Sequence, residues 1–247
     1  MHTRLGPLAV LATSALLLAG CTAGAGSTTP ATSDAMTGAP TAMASQVCLP
    51  VPGDSLVVLT DDMTLQNSDN VIPAVNAKTA EDASVMAALD VVSSVLDTST
   101  LITLNKAVDI DRQTSSEVAA QFVADQGLTA PAKGSGSLTV GAANFSENIT
   151  VAEIYGAVLR DAGYDVTVRP IGNRGTYMPA LESGEVNVVP EYAATAAEFL
   201  NKKLNGDTAP TVATGDIEVT SAALADLGPK VGLVFGKASA AQDQNAF

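Results

Sequence analysis

The chain has 247 residues, a formal net charge of −14, two cysteines and one histidine. So acidic a chain cannot easily assemble the basic patch that phosphate backbones demand, which argues against nucleic acid as a partner. The one histidine, His2, falls in a leader-like start, so the remainder offers no Ser-His-Asp triad, no Cys-His pair and no histidine metal site. Neither catalysis nor a cofactor is expected.

In chain order, residues 1–20 have a basic start at Arg4 and an apolar run over 8–18, too short to span a bilayer, and read as an export signal. The segment ends in Leu18-Ala19-Gly20-Cys21, which resembles the lipobox of bacterial lipoproteins. By that resemblance Cys21 is the acylated amino terminus; the alternative is cleavage nearby, with Cys21 kept as a thiol. Residues 21–47 are mostly Ala, Thr, Ser, Gly and Pro with almost no charge, a composition that serves as a tether. Cys48 then stands without a partner once Cys21 is lipidated, so it is free or pairs with something outside this chain.

Residues 55–59 read as a strand, closed by Asp61 and Asp62 as turn and cap carboxylates in preference to a calcium loop. A second strand is expected over 71–75, with Pro73 at an edge or bulge. A helix follows over 80–96 with Val85, Leu89, Val92 and Leu96 on one stripe, then a short one near 99–106. Thr114-x-x-Glu117 is a capping box opening a third helix to Gly127. Residues 129–136 form a joint.

The densest signals lie over 137–200. An apolar strand at 138–140 turns through residues 141–147 into a helix whose Thr150-x-x-Glu153 has the form of a capping box, and Gly163 ends it. An alternating strand over 164–169, a polar turn at 172–175, a short helix closed by Gly184, an apolar strand at 186–189 and a helix from Thr195 complete a strand-helix alternation. That order implies parallel pairing, with ligands beyond the carboxyl ends of the strands, so residues 144–147, 173–177 and 191–195 share one rim. Asn144 and Asn148 also begin glycosylation sequons, which mean little behind a bacterial leader. Beyond, a helix over 219–227 and a last strand over 231–235 are expected.

Gly-Ala-Ala-Asn-Phe-Ser-Glu at 141–147 and Ala-Leu-Glu-Ser-Gly-Glu-Val-Asn-Val-Val-Pro-Glu-Tyr at 180–192 closely resemble the first lobe of the substrate-binding proteins that deliver glycine betaine, choline and related quaternary amines to ABC importers. Residues 55–128 resemble the end of such a protein. The resemblance implies an α/β fold with a mostly parallel sheet flanked by helices, one lobe of a type II periplasmic-binding-protein fold in permuted order. The piece at 48–128 corresponds to the family's end and 137–247 to its beginning. Stopping at a crossover, the chain reads either as a one-lobe protein or as a fragment of a longer one, in which 55–128 is an extra copy of that segment ahead of a complete two-lobed binder.

Also implied are a lipid-anchored extracytoplasmic location, ABC permease subunits as partners, and a small quaternary-amine or related ligand. Such a ligand has a permanent charge and no donor hydrogen, so aromatic faces and a few carboxylates hold it. Tyr192 matches a cage tyrosine, and Thr195 a hydroxyl that meets the ligand carboxylate. Asn144, Ser146 and Glu147 match the first turn, with Arg174, Tyr177, Glu191 and Asn245 completing the candidate set. Alternatively, Asn144 and Ser146 cap the following helix and Glu191 the next. Ala143 replaces a common lysine, and Asp69-Asn70 and Asn245 stand where others have tyrosine. Low-affinity binding, millimolar or undetectable, is therefore expected, with docking to a permease or to a complete binding protein as the alternative role.

Overall fold

The structure is a computed structural model, and it describes residues 59, 61–63 and 65–244. The leader, Cys21, the tether, Cys48, nearly all of the strand expected at 55–59, and Asn245 lie outside the described residues.

Among the described residues five strands form one sheet: β1 (Val71–Asn76), β2 (Ser137–Ala143), β3 (Asp165–Gly172), β4 (Val188–Tyr192) and β5 (Leu233–Phe235), in the spatial order β3-β2-β4-β1-β5. β2 pairs in parallel with both β3 and β4, whereas β1 runs antiparallel to both β4 and β5. Four strands therefore share a direction, and the one opposing them comes from the segment ahead of the 129–136 joint. Both segments build one sheet.

Helices cover both faces. On one side lie α2 (Ala83–Val95), α3 (Thr98–Asp109), α4 (Ser115–Asp125) and α5 (Ser146–Ala162), packed on Val71, Val75, Val140 and Val188. On the other lie α6 (Arg174–Ser183), α7 (Ala193–Asn205) and α8 (Ile217–Leu227), against Ile72, Ala74, Val189 and Leu233. A one-turn helix, α1 (Ala77–Ala80), leads from β1 toward α2. Covered on both faces, β1 is buried at all six positions, which is why it reads as a continuous apolar run instead of an alternation. The stripe Val85, Leu89, Val92 and Leu96 is buried as expected. No helix among the described residues is long and apolar enough to cross a membrane.

Several local expectations hold. Thr114 caps α4, and Glu117 returns a bond to the Thr114 backbone. Gly163 and Gly184 end α5 and α6 at φ 108° and 82°, a left-handed conformation that costs glycine least. Asp61 accepts from the backbone N–H groups of Leu65 and Gln66, both at 2.9 Å, the turn role expected of it.

Others need correction. Thr150 does not open a helix: α5 starts four residues earlier, and the buried Thr150 hydroxyl donates back to the Ser146 carbonyl at 2.8 Å. Nor do Asn144 and Ser146 cap α5, whose N-cap position is Phe145 with no side-chain cap. The helix expected over 80–96 is present as α2, but it starts three residues later, where the Asp82 carboxylate caps it. Of the two places expected for Pro73, an edge or a bulge, the structure gives the second: β1 lies between β4 and β5, and the carbonyls of Pro73 and Val71, two residues apart, accept from Gly236 and Ser239, three apart. Pro73 faces Pro190 across the β1–β4 pair, while its carbonyl accepts from Gly236 at 2.9 Å just past the end of β5. Lacking an N–H, Pro73 cannot return a bond to Gly236, and the regular β1–β5 pairing ends at this point.

Candidate functional site

The carboxyl ends of β2, β3 and β4 meet at one edge of the sheet. Because β1 runs the other way, its amino end joins them, and Asp69 arrives on the same rim. β2 and β4 are bridged at Val140–Val188 and part toward this rim. The gap is spanned by Asn148, a fully buried side chain on α5. Its Oδ1 accepts from the Ala143 N–H at 2.7 Å, and its Nδ2 donates to the Pro190 carbonyl at 2.9 Å. One amide replaces the missing ladder and holds the crevice open. On the other side of β2 the register with β3 skips Ile171, and Gly172 takes φ 130°. Such a bulge re-aims the strand end, here toward Asn173 and Arg174.

The resulting cavity has a volume of about 370 Å³, and its lining includes Asp69, Asn144, Phe145, Arg174, Tyr192, Thr195 and Asp243. Phe145 and Tyr192 lie side by side with ring centroids 6.1 Å apart and planes 27° from parallel. Tyr192 is buried, whereas Phe145 is 44% exposed. The Tyr192 hydroxyl donates to Glu147 Oε1 at 2.8 Å, and Asn105 on α3 donates to Glu147 Oε2 at 2.5 Å. Burial, reinforced by the Glu147 charge, raises the Tyr192 pKa well above the usual phenol range, so it remains a neutral donor.

Behind these rings Glu191 is completely buried. It accepts from Arg174 Nε at 3.0 Å and Nη2 at 2.8 Å, from the Tyr177 hydroxyl at 2.8 Å, and from the Tyr192 backbone N–H at 3.2 Å. Burial alone would lower the Arg174 pKa, but the hydrogen bonds and charge of Glu191 outweigh it and keep the guanidinium protonated. Burial likewise raises the Tyr177 pKa, with the Glu191 charge adding to it. This network ties α6 to the end of β4 and consumes the Arg174 charge.

Thr195 donates from its backbone N–H to Asp69 Oδ1 at 2.9 Å and from its hydroxyl to Asp69 Oδ2. Asp69 and Asp243 are neighbours through an antiparallel ribbon, in which Asn70 bridges Gln242 and the Asp243 N–H donates to the Asp69 carbonyl at 3.1 Å. Partial desolvation, then the Glu147 and Asp69 charges, push the Asp243 pKa up.

The structure thus brings Asn144, Arg174, Tyr177, Tyr192 and Thr195 to one cavity, with Glu147 and Glu191 bonded directly behind. Ser146 is not among the lining residues; it opens α5 and receives the Thr150 bond. Phe145, Asp243, Asn105 and Asn148 were not among the site residues expected from sequence. Phe145 stands inside the motif quoted above, and its position beside a strand end was the available signal. Asp243 carried none, because its neighbour is 174 residues away.

Comparison with protein families gives a match to the substrate-binding domain of ABC-type glycine betaine transport systems, in two stretches, 35–125 and 136–226. These cover more than half of the chain. The chain belongs to this family. The break between the two stretches falls at 126–135. No curated protein matches by sequence. Among solved structures, a putative peptide binding protein, AppA from Clostridium difficile, overlaps 73% of this chain and 45% of its own at 10% identity, with a TM-score of 0.34. NikA from Brucella suis, in complex with Fe(III)-EDTA, overlaps 70% and 46% at 14% identity, TM-score 0.34. The periplasmic murein tripeptide binding protein MppA, in its unliganded open form, overlaps 70% and 42% at 10% identity, TM-score 0.29. The chain spans less than half the length of these structures. Membership of the glycine betaine family rests on the sequence match, and the α/β architecture on the sheet itself.

Proposed function

We propose that this chain supplies the substrate-binding wall of an ABC importer for quaternary amines of the glycine betaine and choline type, without catalysis. It acts on the extracytoplasmic face of the cell membrane, with Cys21 as its lipid anchor and the permease subunits as its partners. The observation that carries this reading is the stacked pair Phe145–Tyr192 at a strand-end crevice flanked by Asp69, Asp243 and Glu147. A trimethylammonium group cannot donate a hydrogen bond, so it needs aromatic faces and fixed negative charge, and this wall offers both. Thr195, Asn144, Arg174 and Tyr177 frame the same cavity, Arg174 and Tyr177 as supports held by Glu191. The permuted order, with 48–128 as the family's terminal part and 137–247 as its initial part, is supported by the two segments sharing one sheet.

Each desolvated cation-π contact contributes about 0.5–2 kcal/mol, so two rings on one wall support affinity in the millimolar range, near −4 kcal/mol. A titration of the full chain with choline, followed by ¹H–¹⁵N NMR, tests the reading. Saturable shifts are expected at the backbone amides of 143–145, 192–195 and 69. An unchanged spectrum with every quaternary amine up to about 50 mM, more than tenfold above the expected Kd, would sink it.

A further inference from the structure

We propose that the cavity selects quaternary amines that carry no carboxylate, and that Asp69 and Asp243 set this choice against zwitterionic betaines. The proposal rests on the quaternary-amine reading above and concerns the other end of the ligand. A betaine needs a partner for its carboxylate as well as for its cation. Among the lining residues the single basic side chain is Arg174, and Glu191 already neutralises it through bonds of 2.8 and 3.0 Å. The two donors of Thr195, its backbone N–H and its hydroxyl, are both given to Asp69. Asn144 and Asn173 add amides without charge.

What remains is negative. Asp69 and Asp243 both line the cavity, and the ribbon that pairs Asn70 with Gln242 sets them side by side. Glu147 stands behind the Tyr192 hydroxyl. A cation next to the two rings is attracted by all three carboxylates, whereas a ligand carboxylate a few ångströms from it meets two of them. At the effective dielectric of a protein surface, like charges at such distances are worth about tenfold or more in affinity.

The test compares choline with glycine betaine on the full chain, reading the Tyr192 and Thr195 amides by ¹H–¹⁵N NMR, for the native sequence and for Asp69→Asn and Asp243→Asn. Choline is expected to bind at least about tenfold more tightly, and each variant to bring the ratio toward one. Both substitutions keep an oxygen acceptor at the same position, and a dispersed spectrum verifies the fold. Betaine binding as tightly as choline, or a ratio unmoved in both variants, overturns the proposal while leaving the quaternary-amine reading intact. A chain that takes up neither ligand overturns both.

Discussion

Replacing Glu191 tests the core of the site most severely. Its carboxylate is fully buried and accepts from four donors: two guanidinium nitrogens, one phenol and one backbone N–H. Glu191→Ala leaves Arg174, whose side chain is 21% exposed, as a mostly buried cation without its partner. Breaking a buried pair from one side costs about 3–5 kcal/mol, because the remaining charge keeps its desolvation penalty and loses its compensation. For a domain of this size each kilocalorie lowers Tm by about 2–4 °C, so thermal unfolding followed by circular dichroism should show a fall of about 6–20 °C. Removing both charges, as in Arg174→Met with Glu191→Ala, takes away the penalty along with the pair. The double variant should therefore be more stable than Glu191→Ala, with a coupling of at least about 2 kcal/mol. A loss below about 1 kcal/mol in Glu191→Ala, or strictly additive single effects, would refute the view of Arg174 as a neutralised support.

Three further outcomes follow from the same geometry. Tyr192→Ala should weaken choline binding about tenfold in an NMR titration, while Tyr192→Phe, which keeps the ring and loses only the bond to Glu147, should change it less than about threefold. Asn148→Leu strands the Ala143 N–H and the Pro190 carbonyl, so urea unfolding should report a loss of roughly 2–4 kcal/mol; a loss under about 1 kcal/mol would mean that the amide does not bridge β2 and β4. The raised pKa of Asp243 means that the folded chain takes up its proton more readily than the unfolded one. Its ionised form therefore costs stability near neutrality, and that cost is relieved as pH falls toward about 4. Choline affinity should move the opposite way, weakening over the same fall as the cavity loses a negative charge, and Asp243→Asn should flatten that profile.

Local pattern sufficed for the succession from β2 to α7, because each element has the length and apolar period of a buried strand or an amphipathic helix. It failed where a choice depended on distant chain. Thr-x-x-Glu occurs at both 114 and 150, yet the first caps a helix and the second lies inside one. What separates them is where β2 ends, a matter of sheet register that four residues do not encode. Pro73 reads as an edge or a bulge residue, and only the distant pairing decides between them, with Pro190 opposite it on one side and Gly236 and Ser239 unevenly spaced on the other. The candidate rim was legible because strand ends gather on one side of such a sheet. Its charge balance was not. That Glu191 cancels Arg174 depends on residues 17 apart, and that Asp243 joins Asp69 depends on the ribbon.

The central claim is that Phe145 and Tyr192 hold a quaternary ammonium group. Intermolecular nuclear Overhauser contacts between the methyl protons of choline and the side chains of the full chain test it most directly. The account predicts contacts to the ring protons of both Phe145 and Tyr192. Contacts placed instead in the groove between α3 and α4, around Leu104 and Phe122, or none at concentrations well above the expected Kd, would contradict it.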